Sequence, residues 1–539
     1  GAGFASARLE RARQLDRVVS SAAAYVEEAE HSWPIHPQYV PDMERWLEGA
    51  REVVRWLPVV QAKVESLRQR GRPYTDEDWE EVRRASPSIY AIKSQEYLAR
   101  GLPVAIAELE SDLASSSLAT DVAFTKRAEL ETCRQVLVAS KNKLIELENG
   151  LRHGLGCHFE DVALAEEYEL WAECADDLGA LAAEPLGLIR KVEQRLESAG
   201  SLWQRTLQAV GPTWDEAIRS IASRTDCELY QGLEIEPQIG LVPLRLHPLT
   251  GLWEFLVLES GSPPEPDGGG EWRVGPETGV VLILLPGMTV TVGAQDTDPK
   301  GQNYDSLPYD SDVAVKNIEL APYFLSKYEL TQAQWFRLSD EYPSTFGAAH
   351  LTDTDPRILL TNPVESVTWE VSRDRLAVLG LLLPTGAQWE NAARAGFGEP
   401  YGLWKEAREL PASTNLVDET RWRTLHDPAY IPGHDDGYVY HCPVDREALN
   451  PWGFVGMLGN VSEWILDTSD PTNPGYGERS SGIAPLTGER WVEFSSLRTY
   501  RGGHFGRSAQ DARIAVRTCV VLNAADVTVG MRPSRLLER

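Results

Sequence analysis

The chain is 539 residues long, which is more than a single hydrophobic core usually organises, so we expect two or three domains. Hydrophobic residues make up 42% of the chain, as in globular proteins, and the formal net charge is −29. Nucleic-acid backbones and anionic membranes repel a chain of this charge, so neither is expected as a partner. The simplest role of the acidity is to keep the protein in solution.

The cysteines and the chain start indicate a cytoplasmic protein. The six cysteines are dispersed and form no CxxC pair: Cys133, Cys157, Cys174, Cys227, Cys442 and Cys519. This is typical of thiols in a reducing compartment rather than of disulfides or a zinc site. No run approaches the roughly 18 apolar residues of a membrane span, and the first residues lack the apolar core of a signal peptide. The chain begins within a helical pattern, which indicates a piece of a longer polypeptide.

Residues 1–225 are predicted to form an all-α helical bundle, because apolar residues recur there at helical spacing on a charged background. The run 43–71 is predicted as one helix that ends at Gly71, before Pro73. Thr75 is predicted to cap the next helix. The strongest helical pattern covers residues 126–154.

Residues 226–278 mix short apolar runs with Gly and Pro, which indicates a short β-rich connecting segment. The sequence HPLTG is predicted to join LVPLRL and LWEFLVL as a hairpin. SPPEPDGGGEW, which follows, is predicted to be an exposed loop.

Residues 279–539 are predicted to form a loop-rich C-terminal domain. It opens with a buried strand and turn in GVVLILLPGMTVTVG, and short helices follow, for which Thr331 and Thr385 are candidate caps. The fold class is therefore α+β and multidomain, with an all-α helical bundle before a loop-rich domain.

Five motifs follow one another in that domain: PVESVTW, LPTGAQWENAARAG, GFVGMLGNVSEW, RGGHF and VGMRPSR. Together with LLPGM and YFLSKYELTQAQW, they resemble the formylglycine-generating enzyme (sulfatase-modifying factor) family over residues 279–536. This resemblance implies a C-type-lectin-like fold. Residues 230–261 resemble the segment before this domain in bacterial serine/threonine kinase fusions, although no kinase motif is found in the chain.

The copper chemistry of that family is not expected here. The family's oxidase activity relies on two copper-binding cysteines between the RGG motif and an arginine-rich segment, and Cu(I) needs such soft ligands. The matching sequence RGGHFGRSAQDARIAVR contains no cysteine. Cys519 lies beyond it and Cys442 far before it. Gly386 and Ser462 also depart from the family pattern, whereas Glu390, Arg394, Trp464 and Arg501 are retained and interpreted as scaffold.

Iron is not expected either. A related branch, the iron-dependent sulfoxide synthases of ergothioneine biosynthesis, carries an HxxxHxE site in a helical bundle. The helical half here has His31, His36, His153 and His158, and none of them lies in that pattern.

Calcium is the metal that the resemblance implies. One structural site of the family corresponds to Asn415, Leu416, Asp436 and Tyr438, a hard oxygen set that suits calcium. The alternative is that Asn415 and Asp436 only cap turns. A second site corresponds to Gly459, Val461 and Glu463, but Gly456 replaces the side chain that would complete it.

The leading hypothesis is a non-catalytic binding or sensing module in bacterial signalling or defence, with a protein partner such as a kinase or protease of the pathway. Carried over from the family's active-site region, the candidate ligand-binding residues are His504, Phe505, Arg507, Gln510, Asp511 and Arg513.

Three alternatives remain. The first is a metal-dependent oxidoreductase of the same family with other ligands. The second is an interaction partner or protease target, reached at loops 261–272 and 294–312. The third is a retroelement-diversified binding protein, which residues 504–529 disfavour because they are not rich in Asn, Tyr and Ser. No serine–histidine–acid set, phosphate loop or zinc motif stands out.

Overall fold

A computed structural model describes most of the chain. The described residues are 17–29, 33–86, 89–114, 156–183, 187–226, 228–307, 315–347, 360–469, 497–521 and 523–538, with short pieces between 126 and 147 and at 482–483 and 490–491. They group into two compact units, residues 1–99 with 138–203 and residues 100–137 with 204–539. In the described part of the chain, no helix has both the length and the apolar character needed to cross a membrane.

The first unit is mainly helical in its described part. Its helices are α1 (17–29), α2 (Val40–Val54), α3 (Leu57–Arg68), α4 (Asp76–Ala85), α5 (Ile89–Ala114, which continues into the second unit), α6 (Val162–Ala182) and α7 (Leu188–Trp203). The short strands β1 (Arg72–Pro73) and β2 (Cys157–His158) pair antiparallel. The apolar core contains Met43, Trp46, Leu47, Val60, Leu178 and Val192.

The predicted continuous helix over 43–71 is wrong, because the chain breaks between α2 and α3. Pro58 is the cause: it has no N–H to donate into the preceding turn, and its ring clashes with a carbonyl there. It is tolerated in the first turn of α3. The predicted cap is confirmed, since Thr75 Oγ1 accepts from Asp78 N at 3.3 Å and the Asp78 carboxylate accepts from Thr75 N at 2.7 Å. The helix predicted over 126–154 lies largely outside the described residues.

Two partly buried acids on α6 give the first unit a pH dependence. Burial, with the neighbouring Asp177 and Glu173, raises the pKa of Asp176 to about 7. Its ordinary value in an unfolded chain is about 3.9. The folded state therefore holds a proton that the unfolded state releases, and stability falls as the pH rises from about 4 to 7.

The substitution Asp176→Asn should remove this dependence. We expect the free energy of unfolding to rise by about 1 kcal/mol at pH 8, discounted because the side chain is partly exposed, and to change little at pH 5. Urea unfolding followed by circular dichroism at both pH values measures this. Glu166→Gln, at an exposed position on the same helix, is the matched control. An equal gain at pH 5 would contradict the titration of Asp176.

The second unit combines helices with two main sheets. Its helices are α8 (Gly211–Ala222), α9 (Gln332–Ser339), α10 (Trp369–Ala377), α11 (Gly386–Arg394) and α12 (Glu419–Leu425). Its strands are β3 (Leu241–Leu246), β4 (Trp253–Val257), β5 (Glu265–Pro266), β6 (Trp272–Arg273), β7 (Val281–Leu285), β8 (Met288–Val292), β9 (Lys316–Leu320), β10 (Tyr323–Ser326), β11 (Ser462–Ser469), β12 (Gly482–Ile483), β13 (Arg490–Trp491), β14 (Leu497–Arg501), β15 (Thr518–Val521), β16 (Val529–Met531) and β17 (Ser534–Leu536).

The larger sheet has the strand order β17-β10-β7-β4-β3, with antiparallel pairing. Each residue of β7 is buried, as expected for a central strand. The predicted hairpin is confirmed: β3 pairs with β4, and Gly251 N donates to His247 O at 2.9 Å within the turn. Residues predicted to connect two domains therefore form part of the sheet that also contains β7 and β17.

Helix α8, which was predicted to belong to the N-terminal helical bundle, lies in the second unit. Trp214, Ala217 and Ile221 recur at helical spacing and join the same apolar core as β4 and β7. The rings of Trp214 and Phe255 lie 5.5 Å apart. The apolar face of α8 is therefore covered by the sheet, and this explains why the unit begins before residue 225.

Helix α11 runs through the interior, with every residue buried. Thr385 Oγ1 accepts from Gln388 N at 3.1 Å, which confirms the predicted cap. Thr331 caps α9 in the same way. The charged residues of α11 are tolerated inside because Glu390 accepts from Arg394 at 2.8 Å and from Arg501 at 2.8 Å.

The second main sheet has the order β15-β14-β11-β16, in which β11 and β16 are parallel. It places the GNVSEW motif, at the start of β11, beside the VGM of β16. The loops that enter and leave this sheet carry the candidate site.

Candidate functional site

A buried guanidinium lies at the centre of a cluster of loops in the second unit. Arg532 is 0% exposed, and its Nε and Nη2 donate to the carboxylate of Glu463 at 2.7–3.1 Å. Its Nη1 donates to the carbonyls of Ser326 and Lys327, and its Nη2 also donates to those of Val455 and Gly456. These contacts fix three chain segments around one cation.

Two more buried carboxyl groups face the same region. Glu329 accepts from Val461 N at 3.1 Å and from Asn460 Nδ2 at 2.6 Å, and Glu447 Oε1 accepts from Asn415 N at 2.5 Å. Burial, with the nearby Glu463, raises the pKa of Glu329 well above its usual range. Burial raises the pKa of Glu447 to about 8. The cluster therefore holds more carboxyl groups than Arg532 alone can neutralise.

Two residues of the first predicted calcium set lie near Cys442: burial, with the carboxyl groups of Glu447 and Asp436, raises the pKa of this thiol well above its usual range, and a hydrogen bond from Asn415 opposes the shift. Among the described residues, Asn415 Oδ1 and Asp436 Oδ2 are buried oxygens without a hydrogen-bond partner. Asn415 Nδ2 donates to Tyr440 O at 2.9 Å, which turns its oxygen away, and Asp436 Oδ1 accepts from Tyr438 N at 2.6 Å. Burial, with the nearby Asp418, raises the pKa of Asp436 to about 10.

These unsatisfied oxygens fit a hard cation. Amide, carboxylate and main-chain oxygens are the ligands that calcium takes, and the two unsatisfied oxygens, with main-chain oxygens of the buried Leu416 and of Tyr438, are of that kind. Over the described residues, no group of three or more His, Cys, Asp and Glu side chains is arranged to hold a metal. A metal here would therefore depend on the amide and main-chain oxygens.

The second predicted calcium set does not fit the metal. The oxygens of Glu463 accept from Arg532 and from Trp389 Nε1, the latter at 2.6 Å. Gly456 supplies no side chain, and Gly459 serves a different purpose: its φ is +96°, and a Cβ there would lie 2.5 Å from the Asn415 carbonyl. Val461 donates its N–H to Glu329. The guanidinium of Arg532 supplies the positive charge beside Glu463 that a metal ion would otherwise supply.

The carried-over ligand-binding residues divide into buried and accessible groups. Phe505 is buried among the rings of Phe346, Tyr440 and His441, and the guanidinium of Arg421 lies 5.4 Å from its ring centre. Arg513 is buried and pairs with Asp305 and with the carbonyl of Leu307. Both residues therefore support the fold at this point.

His504 is also buried. Its Nδ1 accepts from Gly506 N at 3.1 Å, and burial, with the cation of Arg507, lowers its pKa to about 4. The ring is therefore neutral at physiological pH. Arg507 and Gln510 are exposed, and Asp511 is partly exposed and accepts from Ser508 Oγ at 3.2 Å.

Arg421, at the start of α12, is a site residue that sequence reasoning missed. It donates to the carbonyl of Val439 at 2.7 Å, and it lies against the backbone at Gly506, where a Cβ would come within 3.3 Å of its Nη2. Asp418 begins α12 by accepting from Arg421 N at 2.9 Å. That cap was a usable signal for the helix, but nothing in the local sequence joins Arg421 to residues 504–507.

The described cysteines form no disulfide with one another, and no cysteine lies in the segment between Gly503 and Arg513. Cys442 is buried in the carboxyl-rich cluster, and Cys519 lies on β15 beside Thr499.

Residues 275–535 match the family model of the sulfatase-modifying factor enzyme 1-like domain. The C-terminal half of the chain belongs to this family. A formylglycine-generating enzyme of Thermomonospora curvata is 24% identical over 297 residues, which are 47% of this chain and 92% of that enzyme. The inactive C-alpha-formylglycine-generating enzyme 2 of Mus musculus is 27% identical over 174 residues, which are 32% of this chain and 48% of that protein.

Two solved structures are also similar to part of the chain. PvdO from Pseudomonas aeruginosa is 20% identical, with a TM-score of 0.36, and the match covers 48% of this chain and 95% of that chain. Treponema denticola variable protein 1 is 16% identical, with a TM-score of 0.37 and the same coverage of 48% and 95%. The similarity of residues 230–261 to kinase fusions stays a prediction.

Proposed function

We propose that the sulfatase-modifying factor-like domain is a non-catalytic binding or sensing module, used for protein or ligand recognition in bacterial signalling or defence. The observation that carries the proposal is the segment between Gly503 and Arg513. It keeps its anchoring contacts, with Phe505 in the aromatic cluster and Arg513 on Asp305, but it has no thiol to bind copper. A C-type-lectin-like arrangement of the loops is part of this proposal.

The recognition surface would be the accessible part of this segment, which we call the late-loop surface: Arg507, Gln510 and Asp511. The side chains of Arg507 and Gln510 extend into solvent, while Phe505 and Arg513 hold the backbone beneath them. A rigid base with exposed polar side chains is suited to specific contacts. The helical bundle would serve as a linker or docking platform in the cytoplasm, for a kinase or protease of the pathway.

A turnover assay with Cu(I) tests whether the domain lacks formylglycine-generating activity. The full chain, loaded with Cu(I), is incubated in air with a cysteine-containing sulfatase peptide, and the peptide is analysed by mass spectrometry. We expect no formylglycine. A formylglycine-generating enzyme under identical conditions is the positive control, and conversion of the peptide by this chain would overturn the proposal.

Recognition is tested separately. Partners cross-linked to the full chain are quantified for the wild type and for Arg507→Ala combined with Gln510→Ala. We expect the double substitution to reduce one specific partner, and Arg423→Ala, at another exposed arginine, to leave it unchanged. Equal recovery of every partner from all three proteins would exclude the late-loop surface.

We also propose that Asn415, Leu416, Asp436 and Tyr438 hold one structural calcium ion. Calcium at about 100 times its dissociation constant should raise the free energy of unfolding by about 2.7 kcal/mol, and EDTA should reverse the gain. Asp436→Asn should abolish the calcium-dependent shift in melting temperature. Asp435→Asn is the matched control, because that adjacent carboxylate pairs with Thr420 and Arg423 nearer the surface. A shift that persists in Asp436→Asn would rule out this site.

A further inference from the structure

Next to the late-loop surface, the ring of His504 has one nitrogen that the described part of the protein does not use. His504 is 8% exposed, and its Nδ1 accepts from Gly506 N at 3.1 Å. Its Nε2 makes no hydrogen bond to the described residues and, unlike Nδ1 of His434, it is not enclosed by the protein. The exposed edge of this otherwise buried ring is therefore available to a ligand.

The hydrogen bond at Nδ1 fixes which nitrogen of His504 carries the hydrogen. Burial, with the cation of Arg507, lowers the pKa of the ring to about 4, so the ring is neutral at pH 7. A neutral imidazole has one N–H group, and because Nδ1 accepts from Gly506 N, the hydrogen is on Nε2. His504 therefore presents an N–H donor to solvent from a ring whose orientation is restricted by burial.

Two guanidinium groups lie near this ring, since the charges of Arg421 and Arg507 both act on His504. A Cβ built on Gly506 would lie 3.3 Å from Arg421 Nη2 and 3.4 Å from His504 Cε1, so these two groups approach one point. Arg421 already pairs with Asp427, Nε to Oδ2 at 3.4 Å. Arg507 is exposed and forms no ion pair within the described part of the chain, so its charge is available to a ligand.

We propose that this site binds the carboxylate group of a ligand, which accepts hydrogen bonds from the guanidinium of Arg507 and from Nε2 of His504. A carboxylate has two oxygens in one plane, which can accept two parallel N–H bonds from an arginine. Its remaining lone pairs can accept from the histidine. This inference rests on the proposed recognition role of the late-loop surface, and it names the chemical group that is recognised there.

The charge of Asp526 favours a carboxylate over a phosphate. Its carboxylate also acts on His504, and its Oδ1 accepts from Thr528 N at 2.8 Å, which holds it in place. Asp526 repels any anion bound at this site, and the repulsion grows with the charge of the anion. A phosphate group carries a charge of about −1.5 to −2 at pH 7, whereas the unpaired charge of Arg507 balances a single negative charge.

Calorimetric titration of sodium acetate into the full chain, at pH 7 and constant ionic strength, tests the proposal. We expect saturable binding of acetate, at least tenfold weaker binding of inorganic phosphate, and no binding of acetamide, which has a similar shape without the charge. Arg507→Gln should weaken acetate binding at least tenfold. Arg423→Gln, at an exposed arginine that is already paired with Asp435, is the matched control and should leave it unchanged.

Two substitutions of His504 test the N–H donor. An asparagine side chain keeps an acceptor close to the position of Nδ1 but has no donor near Nε2, whereas the amide of a glutamine reaches the position of Nε2. We expect His504→Asn to weaken acetate binding at least tenfold, since a hydrogen bond to a charged group is lost, and His504→Gln to retain it within threefold. Circular dichroism checks that both variants fold, and the exposed Arg507→Gln keeps the test decisive if they do not.

The pH dependence of acetate binding tests the state of the ring. Because His504 donates as a neutral imidazole, the affinity of the wild type should change less than twofold between pH 6 and pH 8. A tenfold fall over this range would show that a protonated ring holds the anion, and it would overturn the assignment of the donor.

The carboxylate could belong to a free small acid or to the C-terminus of a protein partner, and an acetylated dialanine with a free C-terminus distinguishes them. Tighter binding of this dipeptide than of acetate assigns the site to a chain terminus, and weaker or equal binding assigns it to a free acid. Acetate binding that is equal in the wild type and Arg507→Gln would overturn the proposal, and so would tighter binding of phosphate.

The failure of this inference and the failure of the proposed function give different results. If acetate does not bind, but Arg507→Ala combined with Gln510→Ala still loses a cross-linked partner, only the carboxylate site is overturned. If acetate binds as expected, but the double substitution loses no partner, the carboxylate site stands and recognition of a protein by the late-loop surface is overturned.

Discussion

Arg532→Met should lower the free energy of unfolding of the second unit by about 3–5 kcal/mol, since it leaves a buried carboxylate without its partner. Both Arg532 and Glu463 are almost fully buried, at 0% and 1% exposed. The substitution also removes the donors to the carbonyls of Ser326, Lys327, Val455 and Gly456. A methionine of similar length fills the space but donates no hydrogen bond.

A double variant separates the effect of the unpaired charge on stability from the effect of lost packing. Arg532→Met combined with Glu463→Gln should recover part of the loss, because the amide needs no counter-charge. Arg423→Met is the control: its pairs with Glu419 and Asp435 lie at the surface and are worth at most about 1 kcal/mol. Differential scanning calorimetry of the full chain resolves the change. A loss no larger than that of Arg423→Met would show that Arg532 is not essential to the cluster.

The features that sequence predicted best depend on local chemistry. Thr75, Thr331 and Thr385 each cap a helix, because a hydroxyl oxygen can reach a free N–H within one turn. The β3–β4 hairpin follows from a five-residue turn between two apolar runs. Such features need only the nearest neighbours in sequence.

The features that sequence missed depend on residues far apart in the chain. Glu463 and Arg532 are separated by 69 positions, and Glu390 and Arg501 by 111. No periodicity in the sequence predicts a pairing of this kind, because each of these residues, considered by itself, resembles an ordinary charged surface residue. Arg501 and Glu390 were interpreted as scaffold through the family motif, and their buried pair agrees with that interpretation.

The candidate site also combines features that the local sequence indicates with features that depend on residues far apart in the chain. The motif picks out residues 504–513 as one continuous segment, but motif matching cannot tell which side chains point inward. Phe505 and Arg513 turn inward because an aromatic cluster and Asp305 are there to receive them. Those partners come from loops hundreds of positions earlier or from other motifs, and only the folded chain brings them together.

A second network of buried charges anchors the loop that follows β4. Lys327 is 0% exposed, and its Nζ donates to Glu254 and to Glu271, each at 2.8 Å. Glu254 also accepts from Arg245 Nε at 2.7 Å and from Trp272 Nε1 at 2.6 Å. Glu271 and Trp272 lie at the end of the loop predicted to be exposed at 261–272, so the network anchors that end of the loop to the sheet.

Lys327→Met should therefore cost about 3 kcal/mol of unfolding free energy, the lower end of the range for a broken buried pair, because Glu254 keeps Arg245 and Trp272. Lys405→Met, at an exposed lysine, is the control and should change little. Calorimetry at pH 7 measures the difference, and a loss equal to that of the control would contradict the role of the network.

The same substitution should change the response to acid and to protease. Although burial opposes it, the ammonium of Lys327, with His247, lowers the pKa of Glu271. A depressed carboxyl pKa contributes stability that is present above about pH 4.3, its unfolded value, and is lost as the pH falls through the folded value. Lys327→Met should therefore lose less stability than the wild type between pH 7 and pH 3.

Because Glu271 is released, limited proteolysis should cut the chain faster within 261–272. Unchanged cleavage there would show that Trp272 and Arg245 hold the loop in place without Lys327. That result would weaken the alternative that this loop is a regulated protease target.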